Sequence, residues 1–463
     1  MIRHIIKKEL LDNLLSFRFL ITLLLCVVLI PLGIYVSIKE YQNSLNDYQQ
    51  SMNLYRESIQ GTKNAIEVDA KGLRPPSPFS IFAGGLDKFL PNEIVSARKE
   101  GLTLSNNRSM DAPLSILFGK LDFLFSVSVV MSLLAILFTF DATTREKEEG
   151  TLRLTLSNSI PRHQILIGKF IGNFITFLIP YTIAMLIGIL ILSLSGIIPL
   201  FQSDHLLRLI IIIGVSLLFI SAFFNLGLLV SSLTRRSLTA QITLLFIWVL
   251  LIFAAPRASS MIAAIVYPVK TQQTINLEKT LVRKNIEDEK ASALKEMFLQ
   301  SLNKNTDDNY SESRKPIVEA LMEKEKRLLD AIDRDQETKT NVQLKIASAL
   351  SRLSPLASLT FAVTELPDTG IRAMDNLYDS ARQFHDVATR EIHSQGYKDE
   401  IPGAGMQMTF GWVSADEIPQ FQLQTVSLGQ AFQASWVDIL LLVIFNVLFF
   451  AGAYVGFLRY DVR

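Results

Sequence analysis

Apolar residues run almost without interruption through six stretches of the chain: 19–38, 115–140, 166–196, 207–233, 237–256 and 436–458. About 20 such residues let a helix cross ~30 Å of hydrocarbon. A backbone in lipid must satisfy its own polar groups, so each stretch predicts a spanning helix. Elsewhere the pattern changes. In 1–18, Ile2, Ile5, Ile6, Leu10 and Leu14 form one helical stripe while Arg3, Lys7 and Lys8 face elsewhere, which predicts an amphipathic helix at the membrane interface. Residues 41–60 read as a helix continuing from the first span. Helical periodicity returns over 272–301 and 316–351, where Ile317, Leu321, Leu328 and Ile332 follow heptad-like spacing. The polar run 303–315 between them ends at Pro316, a helix start, so the pair predicts a hairpin. A further helix is expected over 371–395. Met406, Met408, Phe410 and Trp412, then Phe421, Leu423 and Thr425, alternate with smaller or polar residues, which predicts two short strands. The expected fold is an all-α polytopic membrane protein of six transmembrane helices, with mainly helical insertions that carry a small β-hairpin.

Proline and glycine punctuate the insertions. Pro75, Pro76 and Pro78 forbid a regular helix and favour an extended path, and Gly84-Gly85 predicts a turn. Ser354-Pro355 breaks the second long helix of the hairpin.

Charge then sets a direction. Lys and Arg concentrate in short loops on the cytosolic side. Arg3, Lys7, Lys8 and Arg18 precede the first span; Arg145, Lys147, Arg153, Arg162 and Lys169 surround the turn 141–165. Arg235 and Arg236 form the short turn after the fourth span, and Arg459 and Arg463 follow the last. Six crossings place all four groups on one side, with both termini cytosolic. The loop 197–206 holds no Lys or Arg. The long polar segments 39–114 and 257–435 then face outward. Asp438 falls near the outer boundary of the last span and reads as an interfacial carboxylate.

Composition excludes several classes. Of 463 residues, 49% are hydrophobic and only 19% charged, and the formal net charge of +1 argues against a nucleic-acid partner. The one cysteine, Cys26, rules out an intrachain disulfide and reads as a buried apolar side chain. No small-x-small cleavage site follows the first apolar run, so the N-terminus is not expected to be a removable signal. No phosphate-binding Gly-x-x-x-x-Gly-Lys-Ser/Thr loop and no Gly-x-Ser-x-Gly elbow occur, and the five histidines make no metal-ligand spacing. His385 and His393 share a helix face near Glu391, which reads as a solvated surface. No catalytic residue, metal or cofactor is expected in the chain itself.

Within spans, Gly168-x-x-x-Gly172 and Gly452-x-x-x-Gly456 predict close helix packing. Asn173, Asn225 and Gln241 suit either a substrate path or bonds between helices, the latter being the commoner use.

The turn 141–165 carries the chemistry. Arg145, Glu146, Lys147, Glu148 and Glu149 extend the second span beyond the lipid. Gly150 permits a stop or sharp bend, and Thr151 is placed to cap a short crosswise helix, 152–158, that displays Arg153. Local chemistry alone fits a solvated loop equally well. The order Glu149-Gly150-Thr151, a Leu-rich helix, a Pro161-Arg162 turn and Gly168-Lys169 resembles the signature turn of ABC-2-type permeases, a type V exporter-like class. Pro75-Pro76-Ser77-Pro78, the Ser354-Pro355 to Thr369-Gly370 stretch and the charged ending 457–463 resemble the subgroup with enlarged extracytoplasmic loops.

The resemblance implies a permease subunit of an ATP-binding cassette exporter in a bacterial inner membrane. ATP and Mg would sit on a separate ATPase, present in two copies, and a second permease, identical or related, would complete the assembly. Arg145, Glu146, Glu149, Gly150, Thr151, Arg153 and Arg162 would couple to the ATPase, with Arg235 and Arg236 in the second cytosolic turn. Residues 1–18 would be the elbow helix, in contact with membrane lipids. One alternative is a mechanotransmitting subunit that drives a periplasmic partner at the outer hairpin without passing a substrate. Another is a membrane receptor or scaffold without an ATPase.

Overall fold

The computed structural model describes residues 2–60, 69–97, 101–106, 121–157, 161–199, 202–304, 310–395, 419–424 and 426–459. Its contacts divide into two units, Met1–Ile252 with Ser354–Arg463, and Phe253–Leu353. Among the described residues, six helical runs are long and apolar enough to cross a membrane.

In the first unit, α1 (Ile2–Leu14) is followed by α2 (Phe17–Gln60), 44 residues that pass from the first apolar run into the polar segment without a break. The second candidate span covers Phe123–Glu148. It is assembled from a turn at Phe123–Phe125, a π-helical stretch Ser126–Met131, α3 (Ser132–Thr139) and α4 (Thr144–Glu148). After Gly150 come α5 (Thr151–Ser157), α6 (Arg162–Ser195), α7 (Ser203–Leu233) and α8 (Ser237–Val249), the last leading into a π-helical turn Leu250–Ala254. In the second unit, α9 (Ala255–Val266) is followed by α10 (Gln272–Lys304) and α11 (Tyr310–Ser351). The first unit resumes with α12 (Pro355–Glu365), α13 (Ile371–Gln395) and α14 (Leu428–Leu458).

Glycines let the spans close on one another, as the small-residue spacing predicts. A Cβ on Gly168 would meet Ile5 at 2.8 Å, and one on Gly172 would meet Glu9 at 2.6 Å, so α1 lies directly on α6. Gly227 on α7 faces Thr139, and Gly452 and Gly456 on α14 face Leu229, Ser232 and Leu233. The amides serve packing: Asn13 donates to Asn173 at 2.6 Å, while Ser221 and Asn225 donate to Asn446 at 2.7 and 2.8 Å. Cys26 is fully buried against the Met131 sulfur.

A three-stranded antiparallel sheet forms in the first polar segment, in the order β1 (Ala70–Leu73), β2 (Glu93–Ala97), β3 (Gly101–Ser105). Its apolar face and the amphipathic α13 bury Ile94, Leu377, Ala381 and Phe384 together. This is a different place from the expected strands. Residues 421–424 are not a strand; Phe421 packs edge-on against Phe384, at 5.7 Å between ring centres, and presses on Gly72. Their period-two alternation reflects one side lying on a helix. The other expected strand, with Met406 to Trp412, and also Thr425, lies outside the described residues.

The proline-rich stretch does run extended to a 3-10 turn at Pro78–Ile81. It locks into the segment after α12. Ser77 Oγ donates to the Pro367 carbonyl (2.7 Å), the Leu86 amide donates to Thr369 O (2.8 Å), and Thr369 Oγ1 donates to Ala83 O (2.9 Å). Gly85 turns here with φ +47°. Beneath this joint Arg74 and Asp87 form a buried ion pair at 2.6 Å. Arg208 at the head of α7 donates to the carbonyls of Leu366 and Val426, a cation at the C-terminal end of α12.

At 11 residues, α12 is too short to span, yet it is largely buried beside α7 and α14. Ser354 starts it, accepting from Leu356 N and donating to Leu251 O (2.6 Å) in the π-helical turn. Asp438 belongs to this interior. It is 1% exposed and about three turns into α14, so its carboxylate is enclosed by protein.

In the second unit α10 and α11 pair as expected, joined by Lys279–Asp333 and Lys324–Glu289 ion pairs. Leu321 is buried, and Gln336 and Gln343 donate to the carbonyls of Lys270 and Tyr267. Pro316 is inside α11 rather than at its start: the helix begins at Tyr310 and gives up one backbone hydrogen bond at the proline. Residues 305–309 of the turn lie outside the described residues.

Candidate functional site

The charged turn forms from ordinary helix chemistry. α4 ends where Gly150 takes φ +73°, a left-handed conformation that costs other residues and nothing to glycine. Its added Cβ would meet nothing within 4 Å, so the bend is set by backbone and not by crowding. Thr151 does not cap the helix that follows. It is already the first residue of α5, and its hydroxyl points back to Glu146 O at 3.5 Å. Gly150 occupies the preceding position, which leaves no side-chain cap there.

One apolar contact holds α5. Leu152 is fully buried with Ile165, Leu166, Leu228, Ala453 and Phe457. On the other side Leu154 is 69% exposed. The short helix therefore has an anchored side at Leu152 and an exposed apolar side chain at Leu154.

The charges on α4 divide the same way. Arg145 and Glu149 are exposed and form an ion pair with each other across one helical turn (3.0 Å), a contact of small energetic weight. Glu146 points inward. Lys169, 3% exposed on α6, meets Glu146 and Glu9 at 2.9 Å each, and Lys8 lies 3.5 Å from Glu146. This cluster ties the amphipathic α1 to the charged turn and to the third span.

Lys147 and Glu148 reach a fourth and a fifth. Lys147 Nζ donates to the carbonyls of Ser231 (3.1 Å), Ser232 (2.6 Å) and Thr234 (2.8 Å), satisfying the end of α7 with a cation. Glu148 accepts from the Ser237 amide and hydroxyl, both at 2.8 Å, at the beginning of α8. Adjacent residues of opposite charge thus hold the two helix ends on either side of Arg235 and Arg236, which are both exposed. The amides of Thr143 and Thr144 donate to Ser231 Oγ at 3.0 and 3.2 Å.

Arg162 donates to the carbonyls of Phe457 and Leu458 at the end of α14 (3.1 and 2.8 Å). Arg18 pairs with Asp141 through two bonds of 2.9 and 2.8 Å, which joins α2 to the second span. Arg153 lies on α5, but its side chain falls outside what the structure describes, as do residues 158–160 and the ending 460–463. Hence Arg145, Glu149, Gly150, Thr151, Arg235 and Arg236 lie on the surface, while Glu146 and Arg162 hold the bundle together. Lys147, Glu148, Lys169, Glu9, Leu152 and Leu154 were not among the expected site residues. The alternating charges of the turn and the Gly168-Lys169 pair were the available signals.

Among the described residues, no group of three or more His, Cys, Asp or Glu could hold a metal. His385 Nδ1 lies 2.8 Å from Ser96 Oγ, which ties α13 to β2, and the His393 side chain is outside the described residues.

Among the described residues, six long apolar helices define a multi-pass membrane protein, and the charged groups of the turn are bonded to the ends of several of them. The chain belongs to the ABC-2 family transporter protein family, whose pattern matches residues 3–462. It is 29% identical over 115 residues to the probable multidrug ABC transporter permease YbhS of Escherichia coli K12, and equally to that of Escherichia coli O157:H7. The match takes in 25% of this chain and 28% of those relatives, so the chain spans just over a quarter of their length.

Proposed function

We propose that this chain is the membrane half of an ATP-driven exporter, energised by a separate ATPase that docks on α5. The observation that carries the reading is the division of the charged turn. α5 is hinged at Gly150, anchored by Leu152 and offers Leu154 outward. The residues beside its hinge are bonded to α1, α6, α7 and α8. A push on α5 therefore reaches several spans at once. Two ATPase copies and a second permease, identical or related, would complete the assembly, with the charged end in the cytosol of a bacterial inner membrane. ATP and Mg would reside on the ATPase. The mechanotransmitting alternative, with a periplasmic partner on the α10–α11 hairpin, draws support from α2, which runs unbroken from the charged end to the sheet.

The test is the double variant Glu149→Ala/Arg153→Ala, expressed in the native host and purified from its membranes. The expected outcome is normal membrane insertion with loss of ATPase co-purification or of ATP-driven transport. Retention of both at the unmodified level would remove α5 from the coupling role.

A further inference from the structure

Two stretches among the described residues are π-helical, Ser126–Met131 in the second span and Leu250–Ala254 after α8. Such turns are rare inside helices and gather at functional positions. Here a side-chain bond joins them. Trp248 Nε1, two residues before the second stretch, donates at 2.8 Å to Ser132 Oγ, on the first residue after the first stretch. Ser132 is fully buried and Trp248 is 8% exposed, beside a core that holds Met131, Leu134 and Ile252. Ser132 in turn donates to Ser128 O at 2.5 Å, inside the π-helical stretch. Aliphatic packing would fill the same space without a polar pair.

Leu250–Ala254 is also where the second unit begins, at Phe253. That unit ends at Leu353, and the next residue, Ser354, donates to Leu251 O at 2.6 Å. The chain therefore enters and leaves the unit at one stitched neck, and Trp248 stands a helical turn before it. The span on the other side of the Trp248 bond ends in α4, whose charges hold α6, α7 and α8. An indole N–H enclosed by apolar side chains has no water to turn to, so breaking the bond is costly and the two helices shift together.

We propose, resting on the reading that α5 takes the ATPase stroke, that Ser132 and Trp248 carry movement of the second span to this neck, and that the second unit swings about Leu250–Ala254. Trp248 is a positioning residue in this scheme, and the device serves export and mechanotransmission alike.

Trp248→Phe keeps an aromatic ring and removes the donor; Ser132→Ala removes the acceptor. Both are made in the full chain carrying nitroxide labels at Thr103→Cys on β3 and Leu281→Cys on α10, exposed positions in the two units. In lipid nanodiscs with the ATPase that co-purifies from the native host, double electron–electron resonance compares the label distances without nucleotide and with ATP and vanadate. The parent distribution should shift. Either variant should keep ATPase association and hydrolysis yet lose most of the shift, and the double variant should lose no more than the singles. A parent that does not shift, a full shift in both single variants, additive losses, or loss of ATPase association in both would overturn the proposal. Hydrogen exchange of the permease alone needs no ATPase. Either variant should speed exchange in both π-helical stretches roughly fivefold, the effect of losing about one net hydrogen bond, with α1 unchanged. A change confined to the helix that bears the replacement would overturn the bridge. Failure of any ATPase to co-purify with the parent would sink the exporter reading by itself, and exchange would still decide the bridge.

Discussion

Lys169 is the residue whose loss should be felt most at the charged end. Its ammonium sits 2.9 Å from both Glu9 and Glu146, with the lysine side chain 3% exposed and each carboxylate 14% exposed. Replacing it by methionine leaves two carboxylates facing each other in an enclosed site. Breaking a buried pair from one side costs about 3–5 kcal/mol. Lys8, 3.5 Å from Glu146 but 62% exposed, offsets a part of that, so the lower end applies. About 3 kcal/mol corresponds to roughly a hundredfold change in an equilibrium constant. The affected equilibrium is the docking of α1 on α6, which rests on this cluster, on the Asn13–Asn173 bond and on the contacts at Gly168 and Gly172. Amide hydrogen exchange across Ile2–Leu14 in detergent-solubilised protein reads it directly. Lys169→Met should lower protection there about a hundredfold, while the deepest amides of α7 change little. Adding Glu9→Gln and Glu146→Gln should restore most of it, because the stranded charges are gone. Protection within about twofold of the original in the single variant, or a triple variant no better than the single, would refute the reasoning.

Two further outcomes concern the joint between the proline-rich stretch and α12. Gly85→Ala places a Cβ 2.4 Å from Thr369 O on a backbone at φ +47°, and should cost about 1–3 kcal/mol of local stability. Limited proteolysis between Arg74 and Lys88 should speed up, whereas Gly214→Ala, with open space around it, should leave that rate unchanged. Burial raises the carboxyls of Glu365 and Asp368 above their ordinary values, so the folded joint binds protons more readily than the unfolded chain. Their contribution is fully present below the ordinary carboxylate range and is lost as pH rises through the raised values. Melting of the joint, followed by the same proteolysis, should come earlier as pH rises through that window, and Glu365→Gln should flatten the trend; an unchanged slope counts against it.

Periodicity and charge made the membrane part legible, since lipid permits so few backbone solutions. α2 through the polar segment, the hairpin of α10 and α11, and α13 all follow from unbroken helical patterns. The sheet was harder to see. β1 contains Ala70-Lys71-Gly72-Leu73, which carries little strand propensity, and it exists because β2 and α13 cover it. Conversely, Phe421 and Leu423 alternate in the manner of a strand, yet they pack against α13 and β1 and join no sheet among the described residues. α12 was read only as a break in the outer segment because 11 residues cannot span, and its burial depends on α7 and α14, which are distant in sequence. At the charged turn, the bend at Gly150 was readable from residue type. The inward aim of Glu146 and Lys147, and the reach of the exposed Glu148 to Ser237, were not, because they depend on which helix ends happen to lie opposite.

The length of α2 gives it a property beyond connection. Pro31 is the position within it that can offer no backbone amide, and so the natural place for it to flex. At 1.5 Å per residue, about 21 Å of rod lies between Phe17 and Pro31, and about 44 Å between Pro31 and Gln60. Rotation about that point swings the distal tip roughly twice as far as the proximal one. Tyr55 grips the strand at its far end through Lys71 N (2.8 Å), so the sheet inherits the larger arc.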